Sequence, residues 1–120
     1  MPEAATRENY IKSLEAQRDL PSGFSGATGE VSFRSPEQGG ETPFTMNLSL
    51  VAADRPVTSF AGVTTTNVFP GAPVLLCREI LTSADAVGGV LINNKVANVG
   101  VPGGVDDART LVGSLGDVSG

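Results

Sequence analysis

A chain of 120 residues is long enough for one domain and one core. Its 15 Gly and 8 Pro point to a loop-rich α/β chain rather than a helical bundle, and with one Tyr and no Trp the core must be Val, Leu, Ile and Ala. The net charge of −5 with scattered bases excludes a nucleic-acid surface, and the absence of His excludes a Ser-His-Asp triad, a Cys-His pair and imidazole metal ligands.

The single Cys excludes an internal disulfide and a cysteine-rich zinc site, and fits a reducing compartment. No apolar run approaches the roughly 20 residues of a membrane span. The first twenty residues mix acids with bases and hold no apolar core, unlike a secretory or transit leader. The chain reads as cytoplasmic.

Residues 3–19 read as a helix. Tyr10, Ile11 and Leu14 share one side, Glu8 precedes Lys12 by four, and Pro21 ends the run. The apolar stripe is narrow, so residues 1–20 are expected to be a surface helix or tail, and residues 21–120 the domain. Residues 21–29 read as a Gly-, Ser- and Pro-rich loop. Val31 and Phe33 then alternate with polar neighbours as a short half-buried strand, and residues 35–43 form an exposed connection.

Met46, Leu48 and Leu50 alternate with Thr45, Asn47 and Ser49, a second strand. Ala53-Asp54-Arg55-Pro56 reads as a tight turn, and residues 57–66, rich in β-branched side chains, as the returning strand of a hairpin. After Pro70-Gly71-Ala72-Pro73, Val74, Cys77 and Leu81 fit one helical face with Pro73 at its first position. The run from Val74 to Cys77 also suits a buried strand, and periodicity alone leaves both open. Residues 87–93 read as a buried strand. Val105, Ala108, Leu111, Val112 and Leu115 form a helical stripe that Gly116 closes.

Four groups could carry chemistry, and each has a simpler structural role. Cys77 lacks a base and reads as a small core residue. Asp106 and Asp107 are adjacent carboxylates, but in a first helical turn they match the macrodipole. Residues 100–104 precede a helix without phosphate-loop spacing, and Asn93, Asn94 and Asn98 suit holding their own loop's backbone. Thr64-Thr65-Thr66-Asn67 reads as a strand end, since threonine is a poor nucleophile without an amine base at its own N-terminus.

Ala61-Gly62-Val63-Thr64-Thr65-Thr66-Asn67, Ala72-Pro73-Val74 and Arg78-Glu79 resemble a segment of the ornithine acetyltransferases, also called glutamate N-acetyltransferases of arginine biosynthesis. Val90-Leu91-Ile92-Asn93, Ala97-Asn98 and Gly104-Val105-Asp106-Asp107-Ala108 are similar to a second block of that family. Pro21-Ser22-Gly23-Phe24 is a weaker match. Lys95 stands where the family has Gly, Asn94 where it has Ser or Ala, and the loop is one residue shorter.

The resemblance implies an α/β (α+β) layered sandwich with a mixed or antiparallel sheet and flanking helices, incomplete relative to the family's αββα-type fold. It also implies a longer chain that cuts itself before a threonine, which then carries acetyl from N-acetylornithine to glutamate. The cleavage and oxyanion segments are expected beyond Gly120, in a second chain or C-terminal half. Ala5-Thr6 and Ala27-Thr28 are the Ala-Thr pairs present, and neither precedes an apolar residue. Catalytic, cofactor-binding and metal-binding residues are therefore all expected to be none within this chain, and no membrane or nucleic-acid partner is expected. The alternatives are an amidase or peptidase on the same scaffold, and a non-catalytic module that covers its sheet by self-association.

Overall fold

The computed structural model describes residues 6–34, 39–94, 96 and 98–118. Lys95, where the sequence departs from the resembled family, lies outside them, as does Ala97. The elements are α1 (Arg7–Ala16), β1 (Phe24–Arg34), β2 (Pro43–Val57), α2 (Ala72–Ser83), β3 (Val87–Asn93) and α3 (Gly104–Val118). The three strands form one antiparallel sheet in the order β1-β2-β3, a mixed α/β arrangement with three helices.

Helix α1 is built from local signals. Thr6 caps it by accepting from the Asn9 N–H at 3.3 Å, and Lys12 meets Glu8 at 3.2 Å one turn apart. It ends at Ala16, well before Pro21, and buries no residue.

The hairpin is not where turn chemistry placed it. Residues 24–29, expected as loop, open an eleven-residue β1 that pairs along β2 from Phe24↔Ala53 to Arg34↔Pro43. The Arg34 guanidinium donates to the carbonyls of Gly40 and Glu41 at 3.1 and 2.8 Å, which closes the connection, while Gly39 and Gly40 take positive φ there. β2 then runs straight through Asp54-Arg55-Pro56 to Val57. The Asp54 N–H donates to the Gly23 carbonyl at 2.9 Å, and Val57 pairs with Val87. Pro56 sits where the β2–β3 register shifts, so its missing N–H removes no regular rung. Most of the expected returning strand, residues 58–66, is irregular.

Register assigns the faces. Val31 and Phe33 of β1 lie opposite Met46 and Phe44 of β2, and Leu50 lies opposite Leu91 of β3, all on one side. The Phe33 and Phe44 rings meet at 6.1 Å between centroids. Val31 and Phe33 are nonetheless exposed rather than half-buried, and β3, expected to be buried, leaves Val90 59% and Ile92 53% exposed.

The helix alternative holds for residues 74–81. Gly71 in extended conformation starts α2, and Pro73 occupies its first turn, one residue inside the expected first position. Ala72 and Leu76, one turn apart, are the buried apolar residues among those described, at 7% and 6% exposure. α2 packs on α3. A Cβ on Gly104 would come 3.1 Å from the Ala72 Cβ, so glycine permits the close approach where the two helices start. α3 does not stop at Gly116 but continues to Val118.

Candidate functional site

An open groove of about 930 Å³ lies between β3 and the α2–α3 pair, walled on one side by residues 60–65. Residues from both blocks that carry the family resemblance line it, among them Gly62, Thr64, Ala72, Asn93 and Gly104.

The wall is held by two devices. At Gly62 a Cβ would fall 2.7 Å from a Leu81 methyl, so glycine lets this irregular segment lie directly on α2. One turn earlier on α2, Arg78 donates through Nε to Thr64 Oγ1 at 3.0 Å and through its guanidinium to the Thr65 carbonyl. Thr65 Oγ1 accepts from the Asn67 N–H at 3.2 Å, and Asn67 Oδ1 accepts from the Phe69 N–H at 2.9 Å. The hydroxyl run is thus an arginine-pinned loop rather than a strand end. Sequence reasoning missed Arg78; a salient cation inside an apolar helix was the available signal, but a partner fourteen residues back has no periodic signature.

The opposite end of the groove is held by asparagines. The Asn47 N–H donates to Asn94 Oδ1 at 2.8 Å and the Asn94 N–H returns to the Asn47 carbonyl at 3.2 Å. Asn94 therefore extends the β2–β3 ladder instead of bracing its own loop. Asn98 behaves as expected: its amide donates to the Val96 carbonyl at 3.3 Å, and its own carbonyl accepts from the Ala72 N–H at 3.1 Å. Asn93 pairs with Leu48 at the end of β3.

Asp106 and Asp107 occupy the first turn of α3, preceded by Gly100 and Gly103 at positive φ. Among the described residues no three of Cys, Asp and Glu gather as metal ligands. The carboxylates of Glu79 and Asp106 converge instead on Arg109, at 2.8 and 2.9 Å, linking α2 to α3 across a half-exposed surface.

Cys77 departs from expectation. It is exposed on the groove wall rather than buried as a small core residue. It sits one residue past Leu76, and a helix turns 100° per residue, so the two side chains point in different directions, Leu76 buried and Cys77 exposed. Among the described residues no helix is long and apolar enough to cross a membrane.

A family model described as ArgJ family matches residues 37–120, which include both blocks of the groove. The chain belongs to the ArgJ family. It is 35% identical over 101 residues to the arginine biosynthesis bifunctional protein ArgJ of Nitratidesulfovibrio vulgaris, covering 83% of this chain and 24% of the relative. It is 38% identical over 77 residues to the mitochondrial ArgJ of Talaromyces marneffei, covering 62% and 16%. Against the mitochondrial ArgJ of Penicillium rubens it is 34% identical over 119 residues, covering 97% and 23%. The chain thus spans about a quarter or less of the length of these curated relatives. No solved structure matches it. Within the ArgJ blocks, Gly62, Arg78 and Gly104 now have structural reasons: two close approaches and one clamp.

Proposed function

We propose that this chain is the N-terminal scaffold segment of a self-processing acetyltransferase that moves acetyl from N-acetylornithine to glutamate, with residues 21–120 as its share of the domain. Membership of the ArgJ family is the observation that carries this reading. The groove-wall threonines support a scaffold role. Thr64 and Thr65 spend their oxygens on Arg78 and on the loop's own backbone, and both lie inside the chain, where no free amine of their own can act as base. The nucleophile and oxyanion donors would then come from a second chain or C-terminal half. The unpaired Cys77 suits a reducing compartment, and we place the protein in the cytoplasm on that basis.

The test is complementation. The 120-residue chain by itself is expected to transfer no acetyl. Co-expressed with the part of the Nitratidesulfovibrio vulgaris relative that follows its matched segment, it is expected to form N-acetylglutamate from N-acetylornithine and glutamate. Hydrolysis of peptide amides without that transfer would favour an amidase on the same scaffold instead.

A further inference from the structure

Strand β1 lies at the edge of the sheet, and all eleven of its residues are exposed. Natural proteins blunt such edges with prolines, bulges, charges or a covering element, because an open edge pairs with other chains. β1 has no proline and an unbroken register with β2, and short of Arg34 at its end its one charge is Glu30.

The β1–β2 ladder fixes which backbone groups are open. The Asp54 N–H donates to the Gly23 carbonyl, and that pair continues the register of the two strands. Odd-numbered residues of β1 therefore turn their N–H and C=O toward β2, and even-numbered ones turn theirs to the outer edge. At Phe24 the outward N–H is taken by the Pro21 carbonyl at 3.2 Å. Gly26, Thr28, Glu30 and Ser32 follow, and among the described residues no backbone group meets them from that side.

We propose that this edge pairs with the same edge of a second copy, antiparallel about a twofold axis through Gly29, which joins two three-stranded sheets into one. The inference is independent of the acetyl-transfer reading. About that axis Gly26 faces Ser32 of the second copy and Thr28 faces its Glu30, so each outward donor finds an outward acceptor. The Thr28 hydroxyl can donate to that carboxylate. On the other face Val31 falls beside Ala27 of the second copy, extending the apolar side that holds Phe33, Phe44 and Met46. Neighbouring axes fit worse. An axis through Glu30 sets two carboxylates directly opposite, and one through Thr28 sets Ser32 against Phe24, whose N–H is already spent.

Gly29 makes the register testable, since a Cβ there meets nothing within 4 Å. On the axis its Cα would lie about 4.5 Å from that of its symmetry mate, inside the disulfide range. In a Cys77→Ser background, Gly29→Cys should cross-link under oxidised glutathione at least tenfold faster than Ala27→Cys or Val31→Cys, whose mates lie about 13 Å away along the strands. At about 100 μM the unmodified chain should sediment near twice its 12.2 kDa mass. Thr28→Pro removes an outward N–H and no rung to β2. It should keep the strand signal in circular dichroism while weakening the dimer about tenfold in sedimentation equilibrium. A chain that stays at 12.2 kDa, or that cross-links equally fast at all three positions, overturns the inference. So does a one-to-one complex with the downstream part of the Nitratidesulfovibrio vulgaris relative in which the Thr28 and Glu30 amides resist hydrogen exchange, because the edge is then held within the complex.

Discussion

Helices α1 and α2 are of similar length, ten and twelve residues, but they are held by opposite means. α1 has a side-chain cap and an ion pair one turn apart, and buries nothing. α2 has no side-chain cap, yet it carries Ala72 and Leu76, the buried pair, and anchors both α3 and the groove wall. Local signals start a helix; in water a stretch this short needs packing to persist. α2 is therefore the organising element, although α1 has the fuller set of sequence marks.

The largest test of that contrast is Leu76→Ala. Loss of the buried side chain should cost about 2–4 kcal/mol, measured as a fall in the urea midpoint of the domain. Leu14→Ala on α1, exposed to 50%, should leave that midpoint unchanged. Gly89→Ala comes next. A Cβ there would strike the Val51 carbonyl oxygen and sit 3.1 Å from the Ala52 Cα, backbone that cannot rotate away. About 1–3 kcal/mol of destabilisation is expected by the same measurement, with the β2–β3 amides losing protection first.

Arg78→Met keeps the aliphatic stem and removes the clamp on Thr64 and Thr65. It should cost about 1 kcal/mol, and its signature is faster hydrogen exchange confined to residues near 64–69. An unchanged exchange pattern would show that Gly62 packing on Leu81 holds the wall unaided. Thr6→Ala should reduce helicity in α1 by about 0.5–1 kcal/mol of cap free energy, seen in the NMR shifts of residues 7–16, without moving the domain midpoint. The smallest effect belongs to Glu79→Gln. It leaves Arg109 with Asp106 alone and should cost at most about 0.5 kcal/mol at low salt, vanishing in high salt because both partners are half exposed.

The groove was only partly legible beforehand. The resemblance drew attention to the right residues, since both of its blocks line the groove, but not to what they do there. Gly62 and Gly104 look like loop glycines in one dimension, and show a packing reason only once Leu81 and Ala72 approach them. Cys77 was misplaced because an apolar run suggests burial for every member, while the helix leaves Leu75 and Cys77 exposed. The β-hairpin was misplaced for a related reason. Asp-Arg-Pro is good turn chemistry, but the ladder with β1 and the register shift opposite β3 accommodate it inside a strand.

By itself the sequence determined the family, the helical stripe of α3, the strand at 87–93 and the polar character of the loop between them. These rest on residue types and short-range spacing, which act before the chain is folded. Tertiary structure alone decided that β2 pairs with β1, that residues 74–81 are helix rather than strand, that Arg78 pins residues 64 and 65, and that Val63 and Cys77 are exposed. Each of those depends on partners far apart in the chain, and a periodicity of two or of 3.6 residues states which face is apolar without stating what will cover it.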